Sequence, residues 1–197
     1  MDILSAVLIF VIAFLAGMES VLDQFELHQP IISCTLIGLV TGHPVEGIML
    51  AGTLQLIALG WMNIGAAVAP DAALASVSSG IFVCLKGMGV QEAVAVAIPM
   101  AVAGTVLTIF VRTITVGFAH GADAAAARGN VGGVEAYLWL SVACQGLRIA
   151  IPAMIIMAIP AEAVQAALAA IPEWITTGLS TAGGGSDPLD DILNDYE

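Results

Sequence analysis

Long apolar segments constrain the fold of this chain more than any other feature of its sequence. They are separated by short polar stretches and comprise Ile3–Met18, Pro30–Val40, Gly47–Leu59, Ala66–Cys84, Ala93–Val111 and Tyr137–Ile159. Hydrophobic residues make up 59% of the 197 residues and charged residues 10%, whereas about 25% of residues are charged in a typical soluble domain. Mean hydropathy is +1.01. This composition excludes an ordinary soluble globule and a disordered chain, so we predict an all-α, polytopic transmembrane protein.

The charge distribution divides the chain into two parts. Four cations stand against 16 acids, which gives a formal net charge of −12, so the chain has too few cations to bind nucleic acid. A glycine run at 183–185 precedes a cluster of acids, namely Asp187, Asp190, Asp191, Asp195 and Glu197. We therefore predict a membrane domain over residues 1–184 and a solvated acidic tail over residues 185–197.

Catalytic and metal-binding motifs are not visible in this sequence. Cysteines are isolated at positions 34, 84 and 144, and histidines are scattered at positions 28, 43 and 120. Neither a phosphate-binding loop nor a hydrolase or metalloprotease signature occurs. We predict no catalytic constellation, no metal site and no cofactor on this chain.

The apolar segments differ in length. Ala93–Val111 and Tyr137–Ile159 suffice for a crossing, which needs about 20 residues. Residues 112–136 between them are predicted to form a polar connection on the cytoplasmic side, with a helical run from His120 to Arg128. Pro30–Val40 and Gly47–Leu59 are too short, and a Gly/Pro turn at 41–44 separates them. We predict short broken or re-entrant helices, which often form substrate sites in transporters. A kinked helix pair without a ligand is the alternative.

Polar side chains inside the apolar body identify a candidate binding site. Gln55, Asn63 and Asp71 supply amide and carboxylate groups, and Trp61 supplies a flat apolar face. Sugars need paired donors and acceptors for their hydroxyls, so this set is typical of a sugar site. The alternative is that these residues stabilise helix–helix contacts and that Trp61 lies at the membrane interface.

A second polar cluster lies just after the first apolar segment. It contains Glu19, Asp23 and Glu26, of which Asp23 is a candidate ligand unless the cluster forms a solvated loop. Arg148 lies in the middle of an apolar segment and needs an anionic partner there. The carboxylates of Glu19, Asp23 and Asp71 are candidates, and we assign the structural ion pair to Arg148 and Glu19.

Several runs of the sequence resemble one bacterial transport family. The run Gly52–Ser76 closely resembles the IIC membrane subunit of the mannose/sorbose family of the phosphotransferase system. Shorter runs with the same resemblance are Ala16–Met18, Leu22–Asp23, Cys34–Leu36, Val111–Val116 and Arg148–Ala153. The similar runs extend from about residue 10 to Gly184, which is most of the chain.

This resemblance implies a function that requires partners. Such a subunit lies in the bacterial cytoplasmic membrane, surrounded by lipid, and translocates mannose-type hexoses together with a IID subunit. The cytoplasmic IIA and IIB modules carry the phosphate and phosphorylate the incoming sugar, and the membrane subunits form a homo-oligomer within a hetero-oligomeric complex. By position, the resemblance implies that Asp23, Asn63 and Asp71 contact the sugar or shape its pocket, with Gln55 and Trp61 as further candidates.

Two other functions stay open at this point. The first is a membrane receptor for a bacteriocin-type peptide, with transport impaired. The second is an unrelated secondary transporter with broken helices, which would not depend on phosphoenolpyruvate. Family members continue with further apolar segments after the position of Gly184, whereas an acidic tail follows here. We therefore expect an internal block to be missing, which would impair transport.

Overall fold

The described part of the chain is helical. The computed structural model describes residues 3–22, 24–61 and 68–169, and it contains no strand within those ranges. Its helices are α1 (Ile3–Leu22), α2 (Pro30–Thr41), α3 (Pro44–Ala58), α4 (Ala72–Lys86), α5 (Val90–Ala127), α6 (Val131–Ala158) and α7 (Ala161–Ala169). The all-α prediction is confirmed. The predicted acidic tail, Asp23 and Asn63 lie outside the described residues.

Helices α1, α5 and α6 are long and apolar enough to cross a membrane. At about 1.5 Å per residue, α1 alone is about 30 Å long, the thickness of a hydrocarbon core. Helix α5 continues without interruption to Ala127. The helical run predicted from His120 is therefore confirmed up to Ala127, whereas the polar connection predicted to begin at residue 112 is wrong. The alanine-rich stretch before Arg128 favours helix strongly, and only residues 128–130 connect α5 to α6.

Helices α2 and α3 form a tightly packed hairpin, as the short apolar segments predict. Each helix begins with a proline in its first turn, and Gly42 ends α2 in the left-handed conformation with φ of 79°. A Cβ added at Gly47 would lie 2.8 Å from the Cα of Gly38 and 2.8 Å from the carbonyl oxygen of Cys34. Glycine therefore sets how closely the two helices approach.

Helix α4 lies at the centre of the fold and is buried over almost its whole length. Its buried serine hydroxyls are hydrogen-bonded to the backbone of the same helix. Ser78 Oγ donates to Leu74 O at 2.6 Å, and Ser79 Oγ donates to Ala75 O at 2.6 Å. Helices α2, α5 and α6 pack around α4. Its N-terminal end is therefore held at a defined point between the two longest helices.

Helices α1 and α6 approach closely through glycines. A Cβ added at Gly17 would lie 2.5 Å from the carbonyl oxygen of Gln145, and one added at Gly146 would lie 2.6 Å from the ring of Phe14. This contact brings Ser20, near the end of α1, beside Arg148 of α6.

Candidate functional site

Helix ends and mid-helix segments meet around one cavity. The C-terminal ends of α1 and α3 meet the N-terminal ends of α2 and α4 beside the middle of α5 and α6. The larger part of this central cavity has a volume of about 730 Å³, within the range of small-molecule sites of about 300–1,000 Å³. A smaller part adjoins it. Both parts are lined by Ser20, Val21, His28, Gln29, Trp61 and Arg112.

A buried arginine connects α1, α4, α5 and α6 beside the smaller part of the central cavity. Arg148 is only 5% exposed. Its Nη1 donates to Asp71 Oδ2 and, at 2.5 Å, to Thr108 Oγ1. Its Nη2 donates to Ser20 Oγ at 2.8 Å, and its Nε donates to Gln145 Oε1 at 3.1 Å. The guanidinium is thus paired and hydrogen-bonded on each nitrogen, which is what a buried charge requires.

Asp71 has a structural role that the sequence does not reveal. Its Oδ1 accepts the backbone N–H of Leu74 at 3.0 Å, so Asp71 caps α4. Its own N–H donates to Ala101 O at 3.0 Å, and a Cβ at Gly104 would lie 2.5 Å from the Asp71 Cβ. Both carboxylate oxygens therefore contact protein groups, while the residue still lines the cavity. Its role as a sugar ligand stays a prediction.

The predicted ion pair between Arg148 and Glu19 is wrong. Glu19 Oε2 instead accepts the backbone N–H groups of Gln24 at 3.1 Å and Phe25 at 2.6 Å. Consecutive residues of a helix point about 100° apart. On α1, Ser20 is therefore the residue that faces Arg148, whereas Glu19 holds the chain that leaves the helix.

Gln55 connects α3 to the beginning of α2. Its Oε1 accepts the N–H of Ile31 at 3.0 Å, and its Nε2 donates to Gln29 Oε1 at 3.1 Å. Gln29 is the N-cap residue of α2, but its side chain makes no capping hydrogen bond. Gln55 therefore supplies the acceptor that the first turn of α2 needs. Gln29 Nε2 in turn lies 3.3 Å from His28 Nε2. Amide and imidazole groups thus follow one another along the cavity wall.

Trp61 follows the end of α3, where its backbone N–H donates to Ala58 O at 2.9 Å. The half-buried side chain lines both parts of the cavity. The structure therefore brings Gln55, Trp61 and Asp71 together at one cavity, whereas Asp23 and Asn63 lie outside the described residues.

Other cavity residues were missed at the level of sequence. Ser20, Gln29 and Thr108 are common polar residues without a distinctive spacing. Arg112 was placed in a polar connection, although Thr108, Arg112 and Thr115 recur at helical spacing on one face. That spacing at the end of an apolar segment is the signal that could have identified them.

The lining of the cavity is suited to a neutral polar molecule. Within the ranges that the structure describes, no group of three His, Cys, Asp or Glu side chains could hold a metal ion. The lining instead offers hydroxyl and amide groups that both donate and accept hydrogen bonds, which is what a molecule with several hydroxyls requires.

Comparison with known proteins gives consistent matches along most of the chain. Residues 3–185 match the family of the sorbose-specific IIC component of the phosphotransferase system. The chain is 52% identical over 182 residues to the mannose-specific EIIC component of Escherichia coli (strain K12), which covers 92% of this chain and 68% of that protein. It is 50% identical over 184 residues to the fructose permease IIC component of Bacillus subtilis (strain 168), which covers 93% of this chain and 68% of that protein.

Solved structures agree with these sequence matches. A cryo-EM structure of the mannose transporter ManYZ in complex with microcin E492 matches with a TM-score of 0.80 and 51% identity, covering 94% of this chain and 75% of that one. A second solved membrane protein matches with a TM-score of 0.85 and 51% identity, covering 93% of this chain and 75% of the other.

Proposed function

Because this chain belongs to the family of sorbose-specific IIC components of the phosphotransferase system, we propose that it binds a mannose-type hexose in the central cavity and translocates it. The chain is a multi-pass protein of the bacterial cytoplasmic membrane and works with other components of that system. The sugar is phosphorylated as it enters, by the cytoplasmic IIA and IIB modules.

The observation that supports this proposal is the row of polar side chains beside Trp61. Gln55, Gln29 and His28 follow one another along the cavity wall, and Trp61 lines the same cavity. Amide groups can donate to and accept from sugar hydroxyls, and an indole ring offers a flat apolar body for the C–H face of a pyranose. A site of this composition fits a neutral hexose.

The partner subunits belong to the same proposal. Helices α5 and α6 expose large apolar side chains, among them Val106 at 64%, Phe110 at 63% and Trp139 at 64%. Apolar surface of this extent is suited to lipid or to another membrane subunit. We assign part of it to a IID subunit and to further copies of this chain, and the rest to lipid.

Uptake of labelled mannose tests the proposal. The chain is co-expressed with IID, IIA and IIB in cells that lack their own permease, and uptake is measured with and without phosphoenolpyruvate. Uptake that requires phosphoenolpyruvate is the expected result. If mannose enters equally well without it, an ion-coupled or passive carrier replaces the proposal.

Trp61→Ala locates the site within the chain. Loss of the indole surface should raise the KM for mannose about tenfold, which corresponds to about 1.4 kcal/mol of binding. Trp139→Ala removes the same side chain from α6, outside the residues that line the cavity. It is the matched control for the KM, and size-exclusion chromatography checks that both variants assemble with IID. A KM that rises equally in both variants would place the sugar elsewhere.

Peptide docking is a second candidate function, because a similar solved structure contains microcin E492. Cells that express this chain with IID should become sensitive to that microcin. Growth that is unaffected by the microcin, in cells that take up mannose through the complex, would exclude the receptor function.

A further inference from the structure

Arg112 places a cation at the central cavity. It lies in the middle of α5, is exposed, and lines both parts of the cavity. Across the described ranges, the ion pairs of the cavity residues are Arg148–Asp71 and His28–Glu26. Arg112 therefore has no carboxylate partner among those residues, in contrast to the buried Arg148.

The position of this charge is costly without a ligand or water. Arg112 directly follows the apolar segment Ala93–Val111, and a charge within a membrane-spanning helix faces a water-filled cavity or a partner. Thr108 and Thr115 lie one helical turn to either side of Arg112 and also line the cavity. The charge thus belongs to the polar face of α5 that is directed at the cavity.

The surrounding lining is close to neutral. Six of its side chains carry a hydroxyl or an amide group, and the carboxylate of Asp71 is already paired with Arg148. Glu26 is the other described carboxylate of the cavity, and its Oε2 lies 3.8 Å from His28 Nε2. Arg112 is therefore a cation of the described lining that no described carboxylate pairs with, whereas Glu26 pairs with His28 only when that imidazole is protonated.

A neutral hexose does not require this charge, but its phosphate ester does. Guanidinium groups bind phosphate oxygens through paired N–H donors, with a geometry that an ammonium group does not reproduce. We propose that Arg112 binds the phosphoryl group of the phosphorylated hexose, beside the hydroxyl-binding row of Gln29 and Gln55. This inference rests on the function proposed above and adds an anion-binding subsite to the same cavity.

Binding measurements on the assembled complex test the inference. The chain is purified with IID in lipid nanodiscs, and calorimetry gives the affinities for mannose, mannose 6-phosphate and inorganic phosphate. Arg112→Gln should weaken binding of mannose 6-phosphate about tenfold or more and leave mannose within about threefold. Arg112→Lys should fall between, because the charge stays and the paired geometry is lost.

Arg128→Gln is the matched control. Arg128 directly follows α5 and does not line the cavity. It should leave each affinity unchanged. Equal weakening of mannose and mannose 6-phosphate in Arg112→Gln would overturn the inference, and so would inorganic phosphate that binds as tightly as the hexose phosphate. The wild-type complex gives a test without a variant, because added salt should weaken mannose 6-phosphate and leave mannose unchanged.

Failure of this inference is distinguishable from failure of the proposed function. A complex that takes up mannose with phosphoenolpyruvate, yet binds mannose 6-phosphate equally with and without the Arg112 guanidinium, contradicts the anion-binding subsite alone. A wild-type complex that neither binds nor transports mannose contradicts the proposed function itself.

Discussion

Asp71 illustrates how one side chain can satisfy several neighbours at once. It caps α4 through Leu74, accepts a hydrogen bond from Thr108 and neutralises Arg148. A carboxylate that is this fully engaged has little capacity left for a sugar hydroxyl. Its contribution to transport is therefore expected to come from holding α4 and α5 at the cavity.

Asp71→Asn separates the capping of α4 from the neutralisation of Arg148. The amide oxygen can still cap α4, but Arg148 is left as a buried charge without a counter-ion, which costs about 3–5 kcal/mol. We expect a lower melting temperature and poor assembly with IID, measured by thermal denaturation and size-exclusion chromatography. Adding Arg148→Gln should recover part of the stability, because no unpaired charge remains.

The opposite pattern would assign Asp71 to the sugar. If Asp71→Asn melts at the wild-type temperature and assembles normally, but raises the KM for mannose, then the carboxylate binds substrate directly.

At the scale of the element, the α2–α3 hairpin depends on close helix packing. Gly38 and Gly47 approach without side chains between them, and Gln55 closes the hairpin from its far end through Ile31. The hairpin therefore holds the Gln55–Gln29 contact at the cavity.

Gly47→Ala should destabilise this hairpin by about 1–3 kcal/mol, because the added Cβ meets backbone atoms that cannot rotate away. Gly52→Ala is the control in the same helix, where a Cβ meets nothing within 4 Å, and it should be neutral or stabilise the helix by about 0.5–1 kcal/mol. Denaturant unfolding in detergent measures both. Equal stability of the two variants would show that the close approach of α2 and α3 is not needed.

At the scale of the whole molecule, the apolar surface of the long helices defines the part that lies in lipid. Val106 is 64% exposed in the middle of α5, and Val131 is 70% exposed at the beginning of α6. Both are large apolar side chains on the outside, but they lie at different distances from a helix end.

Val106→Lys should reduce the amount of protein inserted in the membrane, since lysine at the centre of a spanning helix costs about 2.5–3.5 kcal/mol. Val131→Lys should be tolerated, because lysine near a helix end reaches the interface. Quantitative blotting of washed membranes measures both. A yield that falls equally for the two would mean that the start of α6 also lies within the hydrocarbon region.

The class of the fold and the positions of its apolar helices follow from the sequence alone. Hydropathy predicts the spans, and the Gly/Pro turn at 41–44 predicts the hairpin of α2 and α3. The polarity of Arg112 and Arg128 predicted a polar connection over residues 112–136 with a helix only from His120, whereas α5 continues without interruption to Ala127. Local helix propensity outweighed the polarity of Arg112, which the cavity accommodates.

Which distant polar groups meet was decided by the tertiary structure. The sequence identifies Arg148 as a charge that needs a partner, and Gln55, Trp61 and Asp71 as polar or aromatic groups in an apolar body. It cannot choose Asp71 over Glu19, because that choice depends on how α4 packs between α5 and α6 and on which side of α1 faces inward. Hydropathy and helix propensity act over neighbouring residues, whereas an ion pair between residues 71 and 148 exists only once packing has fixed the rotation of each helix.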